Sequence, residues 1–231
     1  DPSTLSGALN ENGLVSARLA HSLTIRAASG ARPVIRLAAP LAFRPADPAA
    51  PAAEATVLRL DGLFVTTADA ADPVIARAAA ARVEIAGCTL DPGGHENRDG
   101  SRAPLRSAMR LANGYGFADP ADEDAFAPTP DLVVTRSVTG RLAIDDGYRL
   151  SLADSIVDAG MGPGDPVPAE PAIGPASAPG VSHAAATSIS GVTVLGAALL
   201  REVRGSGGIF VGPLQVWNQQ SGCLKHCYFS G

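Results

Sequence analysis

The chain has 231 residues with a formal net charge of −5, and 46% of its residues are hydrophobic but only 4% aromatic. The acidic balance and the single lysine, Lys225, argue against nucleic-acid binding, which needs a basic patch. No run of about 18 apolar residues occurs, so no membrane-spanning helix is predicted. Because aromatic residues are few, a core must be built from Val, Ile, Leu and Ala.

The first 56 residues are predicted to form N-terminal coils or a cap. Residues 5–25 mix Gly, Asn and Ser with short apolar pairs, which is typical of an opening turn or a capping coil. Residues 32–41 (RPVIRLAAPL) alternate so that Ile35 and Leu37 share one face of a predicted strand. Residues 44–55 (RPADPAAPAAEA) are predicted to leave the sheet as a Pro/Ala loop, because proline removes hydrogen-bond donors from a strand ladder.

From residue 57 onwards the chain repeats one short pattern, in which apolar residues alternate with polar ones, the chain kinks, and the alternation resumes. Three polar or Pro/Gly-rich loops interrupt the pattern near residues 91–105, 118–130 and 161–182. The predicted inward positions are Leu58, Leu60, Leu63 and Val65 in one repeat and Val83, Ile85, Cys88 and Leu90 in the next.

The repeats begin near residues 58, 83, 109, 132, 150, 187, 203 and 222, and the period is about 18 to 25 residues once the longest loop is set aside. Such self-similarity predicts a solenoid. Helical repeats need long runs of helix formers and leucine-rich repeats need a recurring Asn, and this chain has neither. The predicted fold is therefore an all-β, single-domain parallel β-helix of about eight to ten coils.

Stacked coils place equivalent side chains in columns about 4.8 Å apart, so inward positions favour small or β-branched residues. One predicted inner column is compact throughout. The three cysteines are too few for a disulfide framework and are predicted to be reduced and buried. The compact column comprises Leu63, Cys88, Ser137, Ser155, Val192, Gly208 and Cys227.

Several segments resemble the rungs of a right-handed parallel β-helix of the pectin-lyase-like superfamily, among them LSLADSIVDAG, ISGVTVLG and the closing GGIFVGPLQVWNQQSGCLKHCYFSG. More narrowly, they resemble β-helical segments of large uncharacterised bacterial proteins encoded near phage-tail-like or contractile-injection gene clusters. The resemblance covers about residues 57–231. It departs from that group at Gly207-Gly208 and at Lys225-His226-Cys227. It implies a structural or surface-display role.

The superfamily also contains polysaccharide lyases and hydrolases, and a pair of carboxylates is what glycoside hydrolysis would require. Asp145 and Asp146 are the best pair in the sequence. Because they precede Gly147, we interpret them as turn residues. A pair of catalytic carboxylates is the alternative.

Residues Cys223, His226 and Cys227 form a C-x2-H-C pattern with three groups able to bind zinc. On a strand the two cysteines would point to one side and the histidine to the other, so we predict no metal site and keep this set as an alternative. Two acidic loops are interpreted as solvated, with calcium binding as the alternative for the first. They contain Asp91, His95, Glu96, Asn97 and Asp99, and Asp119, Asp122, Glu123 and Asp124.

The sequence therefore predicts a non-enzymatic structural or adhesion segment of a larger bacterial or phage-tail-associated protein, with no cofactor. Further chain or further subunits would stack on its terminal coil. A carbohydrate-binding or polysaccharide-cleaving β-helix is the alternative, in which Trp217, Tyr228, Tyr115 and Phe117 would stack on sugar rings or else cap the core. We expect a soluble piece of a longer protein, because the chain starts without Met and ends within a repeat. Neither a signal peptide nor any other feature indicates its localisation.

Overall fold

The structure is a computed structural model that describes residues 15–161, 170–177 and 183–230. In these ranges the chain winds through eight coils, and each coil contributes three consecutive short strands. Coils 1 to 4 contain β1 (Val15–Leu19), β2 (Leu23–Arg26), β3 (Val34–Leu37), β4 (Leu41–Pro45), β5 (Val57–Asp61), β6 (Phe64–Thr67), β7 (Ile75–Ala78), β8 (Arg82–Ala86), β9 (Thr89–Leu90), β10 (Ser107–Leu111), β11 (Asp131–Thr135) and β12 (Val138–Thr139). Coils 5 to 8 contain β13 (Arg141–Ile144), β14 (Arg149–Ala153), β15 (Ile156–Asp158), β16 (Ile173–Gly174), β17 (Ala186–Ser190), β18 (Thr193–Leu195), β19 (Ala198–Leu200), β20 (Val203–Ser206), β21 (Ile209–Val211), β22 (Leu214–Val216), β23 (Leu224–Lys225) and β24 (Tyr228–Ser230).

Each strand from β1 to β21 pairs with the strand three places further along the chain, always in parallel. This produces three sheets of eight strands. Sheet A begins with β1, sheet B with β2 and sheet C with β3, and each sheet takes one strand from every coil. The predicted parallel β-helix is confirmed, with eight coils in the described part of the chain.

Sheet B contains the row of inward residues that the repeat period in the sequence predicts most clearly. In coils 2 to 6 its inward residues are buried because each lies between the equivalent residues of the preceding and the following coil, and burial stabilises a Leu or Val side chain by about 1.5–3 kcal/mol. Leu23 of coil 1 starts the same row, within a segment for which the sequence predicts an opening turn or a cap. Consecutive partners in this row are Leu58, Val83, Leu132, Leu150, Thr187 and Val203.

The repeat predicted to begin near residue 109 is wrong, because this segment belongs to a different sheet from the other predicted repeat starts. Met109 lies on β10 in sheet A, where it pairs with Ile75 and Leu142. The strand of coil 4 in sheet B is β11. Loops 91–105 and 118–130 therefore belong to a single turn of the solenoid, on either side of β10.

The corner between sheets B and C repeats in coils 2 to 8. One residue with positive φ turns the chain, and the residue after it takes the inward corner position. Cys88 Sγ accepts from Leu63 N at 3.5 Å, Ser137 Oγ accepts from Cys88 N at 3.1 Å, and Ser155 Oγ accepts from Ser137 N at 3.1 Å. The predicted compact column is confirmed. The residues with positive φ are Gly62, Gly87, Arg136, Asp154, Gly191, Gly207 and His226.

The loops pack against the outside of the solenoid. Residues 51–55 form a 3-10 helix, and Pro120–Ala125 form the α-helix α1, which the sequence interpretation missed. Asp119 caps α1 by accepting from Ala121 N at 2.9 Å. Of loop 161–182, residues 162–169 and 178–182 lie outside the described residues. No helix in the described ranges is long and apolar enough to cross a membrane.

Candidate functional site

In the described part of the chain the core columns reach the surface at the first and the last coil, and most of the exposed large apolar side chains lie near the last one. The described ranges contain six exposed large apolar side chains, and four of them lie in the last two coils. Trp217 is 72% exposed, Tyr228 62% and Phe229 50%. Ile209 of coil 7 is 44% exposed and pairs directly with Tyr228. The apolar surface is therefore concentrated at one end of the solenoid.

Phe229 continues an aromatic column out of the core. Its ring stacks on that of Phe210 with centroids 5.4 Å apart and planes 8° apart. Phe210 is 1% exposed, whereas Phe229 is half exposed because no described coil covers its outer face. Gly208 makes room for the stack, since a Cβ atom there would lie 2.7 Å from Phe210 Cε2.

Other inward positions of the last coil are only partly covered as well. Val216 pairs with the buried Leu200 in sheet A, and Leu224 pairs with Gly205 in sheet B, but both Val216 and Leu224 are half-buried. Strands β22, β23 and β24 each end their sheet in the described part of the chain. Three strand edges and the end of the core thus face the same way.

Cys227 holds the inward corner position of the last coil. Its Sγ accepts from Gly208 N at 3.3 Å and donates to the carbonyl oxygen of Lys225 at 3.3 Å. The corresponding N–H of coil 4, on Ser137, is bonded to Ser155 of the next coil. The N–H of Cys227 has no such acceptor among the described residues.

Asp145 lies directly after β13 and is 5% exposed. Its carboxylate accepts from Asn113 N at 2.9 Å, Ala176 N at 2.8 Å and Ser177 N at 3.0 Å, and also from Ser177 Oγ. Burial alone would raise the pKa of Asp145, but the hydrogen bonds from Ser177, Asn113 and Ala176 outweigh it and lower the pKa below its ordinary value. Asp145 therefore anchors two loops as a carboxylate.

Asp146, in contrast, is exposed. It accepts from Asn113 Nδ2 at 2.9 Å and forms an ion pair with Arg201 at 3.1 Å, while 46% of its side chain is exposed. The two carboxylates differ in burial, and both accept hydrogen bonds from Asn113. These contacts fit the interpretation as turn and loop anchors, and the pair of catalytic carboxylates stays an untested alternative.

The C-x2-H-C set is divided between the inside and the outside of the corner. Cys223 and His226 are exposed, and Cys227 is directed inward and half-buried. Within the described ranges, no group of three His, Cys, Asp or Glu side chains could hold a metal ion. All three cysteines are free, and burial raises the pKa of the Cys88 thiol. The expectation of burial is wrong for Cys223, which lies in the uncovered last coil.

The acidic residues of loop 91–105 have structural partners. Asp91 accepts from Thr66 Oγ1 at 2.6 Å and forms an ion pair with Arg106 at 3.3 Å. Asp99 accepts from Ser101 Oγ at 2.6 Å, and this hydrogen bond lowers its pKa. Antiparallel bridges tie residues 93 and 96 to residues 105 and 102. The loop is thus a short folded arm.

The aromatic residues predicted to stack on sugars or cap the core fall into two groups. Tyr115 and Phe117 pack on Phe126 with centroid distances of 5.3 and 5.6 Å, so they cover the outside of sheet A beside α1. Trp217 is exposed, with the ring of His183 at 5.7 Å. Beside it lies an open cavity of about 400 Å³, lined by Arg201, Trp217, Asn218, Gln219 and Gln220.

The surface around Trp217 is therefore the candidate functional site, because an exposed tryptophan borders an open cavity lined by polar side chains there. The sequence interpretation named Trp217, Tyr228 and Cys227 but missed Phe229. The signal was available, since Phe229 stands in the same place as Phe210 of the preceding repeat. Comparisons of this chain with protein-family models, curated proteins and solved structures found no match.

Proposed function

We propose that this chain is a rigid, non-enzymatic structural or adhesion segment of a larger bacterial or phage-tail-associated assembly. The observation that carries the proposal is the continuous stack itself, in which three parallel sheets each take one strand from all eight described coils. A single coil buries too little surface to be stable alone, and stacking supplies the rest.

The anchoring of the loops supports the same function. Asp145 fixes residues 113 and 176–177 to the solenoid, and the Asp91–Arg106 ion pair fixes the arm at residues 91–105. The three sheets keep their parallel pairing on both sides of these insertions. A scaffold of this kind can present loops on its outside without disturbing its core.

A polysaccharide panel, assayed for both binding and product release, tests the non-enzymatic part of this proposal. We expect no product release from any polysaccharide. Release that disappears in Asp146→Asn would overturn the proposal, because Asp146 is half-exposed and its substitution should leave the fold intact. Thermal unfolding of Asp146→Asn provides the control for stability.

Carbohydrate binding without cleavage is the second candidate, and the exposed Trp217 favours it. An aromatic face can stack on the apolar face of a sugar, while amide and guanidinium groups bond its hydroxyls. Asn218, Gln219 and Arg201 lie around the cavity in the right chemical combination. Calorimetric titration with oligosaccharides tests it. Binding that is lost in Trp217→Ala and kept in Tyr228→Ala would support this second candidate.

A further inference from the structure

We propose that a cavity on the outside of sheet A binds a small monocarboxylate, which the guanidinium groups of Arg110 and Arg141 hold. The cavity has a volume of about 240 Å³ and spans coils 4 to 6. It is smaller than the range of about 300–1,000 Å³ that is typical of sites for drug-sized ligands, so it suits a molecule of few heavy atoms. The inference goes beyond the proposed structural function and does not depend on it.

The floor of the cavity consists of residues with little or no side chain. On three neighbouring strands of sheet A, Arg110 pairs with Ala143, and Ala143 pairs with Gly174. All three residues line the cavity, and Arg110 is exposed there. A long side chain in place of Ala143 would fill the space beside the Arg110 guanidinium, so the small residues of the next two strands keep that space open.

The wall of the cavity is held by contacts to the solenoid. Arg141 Nε donates to the carbonyl oxygen of Pro171 at 3.4 Å. Towards the other end of the segment 170–177, Ala176 N donates to the buried carboxylate of Asp145 at 2.8 Å. The wall is therefore fixed before any ligand binds, which lowers the conformational entropy that binding would cost.

The cavity has a positive charge that its own residues do not neutralise. Arg141 forms an ion pair with Glu170, which is the only acidic side chain among the described residues that line the cavity. Arg110 forms no ion pair with any residue in the described ranges. Burial lowers the pKa of Arg141, and the positive charge of Arg110 lowers it further. The two guanidinium groups are thus close enough to repel each other, and an anion bound to both would relieve the repulsion.

The charges also select the kind of anion. Two guanidinium groups and one carboxylate leave a single positive charge, which a monoanion neutralises and a dianion exceeds. A carboxylate is a monoanion whose two oxygens match the planar fork of a guanidinium group. Glu170 would repel a second negative charge, but its oxygens can accept a hydrogen bond from a hydroxyl group of the ligand. A small hydroxy acid such as lactate meets these conditions.

Lactate is therefore a suitable probe, titrated at constant ionic strength into the ¹⁵N-labelled 231-residue chain. The backbone amide signals of Ala143 and Gly174 report binding, because both residues form the floor of the cavity. We expect saturable shifts, with the affinity weakened at least tenfold by Arg110→Gln. The matched variant Arg36→Gln removes the same charge from an exposed position on sheet C and should change the affinity less than twofold. Sulfate should bind at least fivefold more weakly than lactate.

Ala143→Leu provides a second variant, because it fills the floor of the cavity without a change of charge and should abolish the shift at Gly174. Circular dichroism checks the fold of each variant, and Arg110→Gln, at an exposed position, decides the test if Ala143→Leu unfolds. Absence of saturable shifts in the wild-type chain would overturn the proposal. Equal effects of Arg110→Gln and Arg36→Gln, unchanged binding in folded Ala143→Leu, or sulfate bound as tightly as lactate would overturn it too. The structural function is tested separately, by the polysaccharide panel.

Discussion

Coil 5 and coil 8 have the same backbone corner, but their inward residues differ in burial. In coil 5 the inward residues Leu152, Ser155 and Val157 are at most 3% exposed. In coil 8 the equivalent residues of sheets B and C are Leu224, half-buried, and Phe229, 50% exposed. Both coils have the same corner, with a residue of positive φ before the inward side chain.

The difference arises from the neighbours. Coil 5 lies between coil 4 and coil 6, while coil 8 has a described partner only on the side of coil 7. Burial in a solenoid is therefore a property of the stack, and a coil's own sequence provides only half of its core. The same substitution should cost much more in the middle of the stack than at its end.

The largest difference in stability between the two coils is expected when a charged residue replaces an inward residue of sheet B. Leu152→Asp would bury a carboxylate between Val134 and Ile189 with no partner, and should cost about 4 kcal/mol or more, enough to unfold the chain. Leu224→Asp should cost about 1–2 kcal/mol, because water reaches that position. Urea denaturation of both variants measures the contrast. Similar thermal unfolding of Leu152→Asp and wild type would contradict the account.

Removal of an aromatic ring sharpens the comparison between adjacent coils. Phe210→Ala should cost about 3–5 kcal/mol, because it leaves a cavity between Val194 and Phe229. Phe229→Ala should cost about 1 kcal/mol, since one face of that ring is already open. Equal losses in denaturant midpoint would show that coil 8 is covered in solution.

Asp145, which lies directly after β13, should make the free energy of unfolding depend on pH. Because the folded pKa of Asp145 lies below its unfolded value, its contribution is fully present above about pH 4 and is lost as the pH falls through the folded pKa. Asp145→Asn should cost about 1–3 kcal/mol at pH 7 and flatten the acid limb of the stability curve. Asp146→Asn is the matched control. An unchanged acid limb in Asp145→Asn would contradict the role of the anchor.

The smallest difference in stability is expected for the hydrogen bonds between corner residues of successive coils. Ser137→Ala removes the acceptor for the buried N–H of Cys88 and should cost about 1–2 kcal/mol. Cys227→Ala removes the equivalent acceptor for Gly208 at the edge, where water can replace it, and should cost less than about 0.5 kcal/mol. Thermal unfolding of the two variants is sufficient. A larger loss for Cys227→Ala would reverse the expected order.

The sequence predicts the fold well because inward alternation repeats at a regular interval. The row that contains Leu58, Val83 and Leu150 could be aligned without a structure, since each residue is followed two positions later by another apolar residue. The same simplicity explains the error at Met109. Strands of all three sheets alternate, so a local pattern reveals a strand without revealing its sheet.

The candidate site was harder to predict. Asp145 and Asp146 are adjacent in sequence, and their different partners include Asn113, Ser177 and Arg201, which lie in other coils. Exposure at Phe229 likewise depends on what stacks above it, which a repeat pattern does not contain. Helix α1 had local signals in Asp119 and Pro120, but the acidic composition of the loop concealed them.

The central claim is that the core columns are closed in the middle of the solenoid and open at its last coil. Hydrogen–deuterium exchange, resolved by segment, tests this directly. Amides of residues 150–157 should exchange only through global unfolding, while those of residues 224–230 should exchange at least tenfold faster under native conditions. Equal protection of the two segments in the isolated chain would contradict the account.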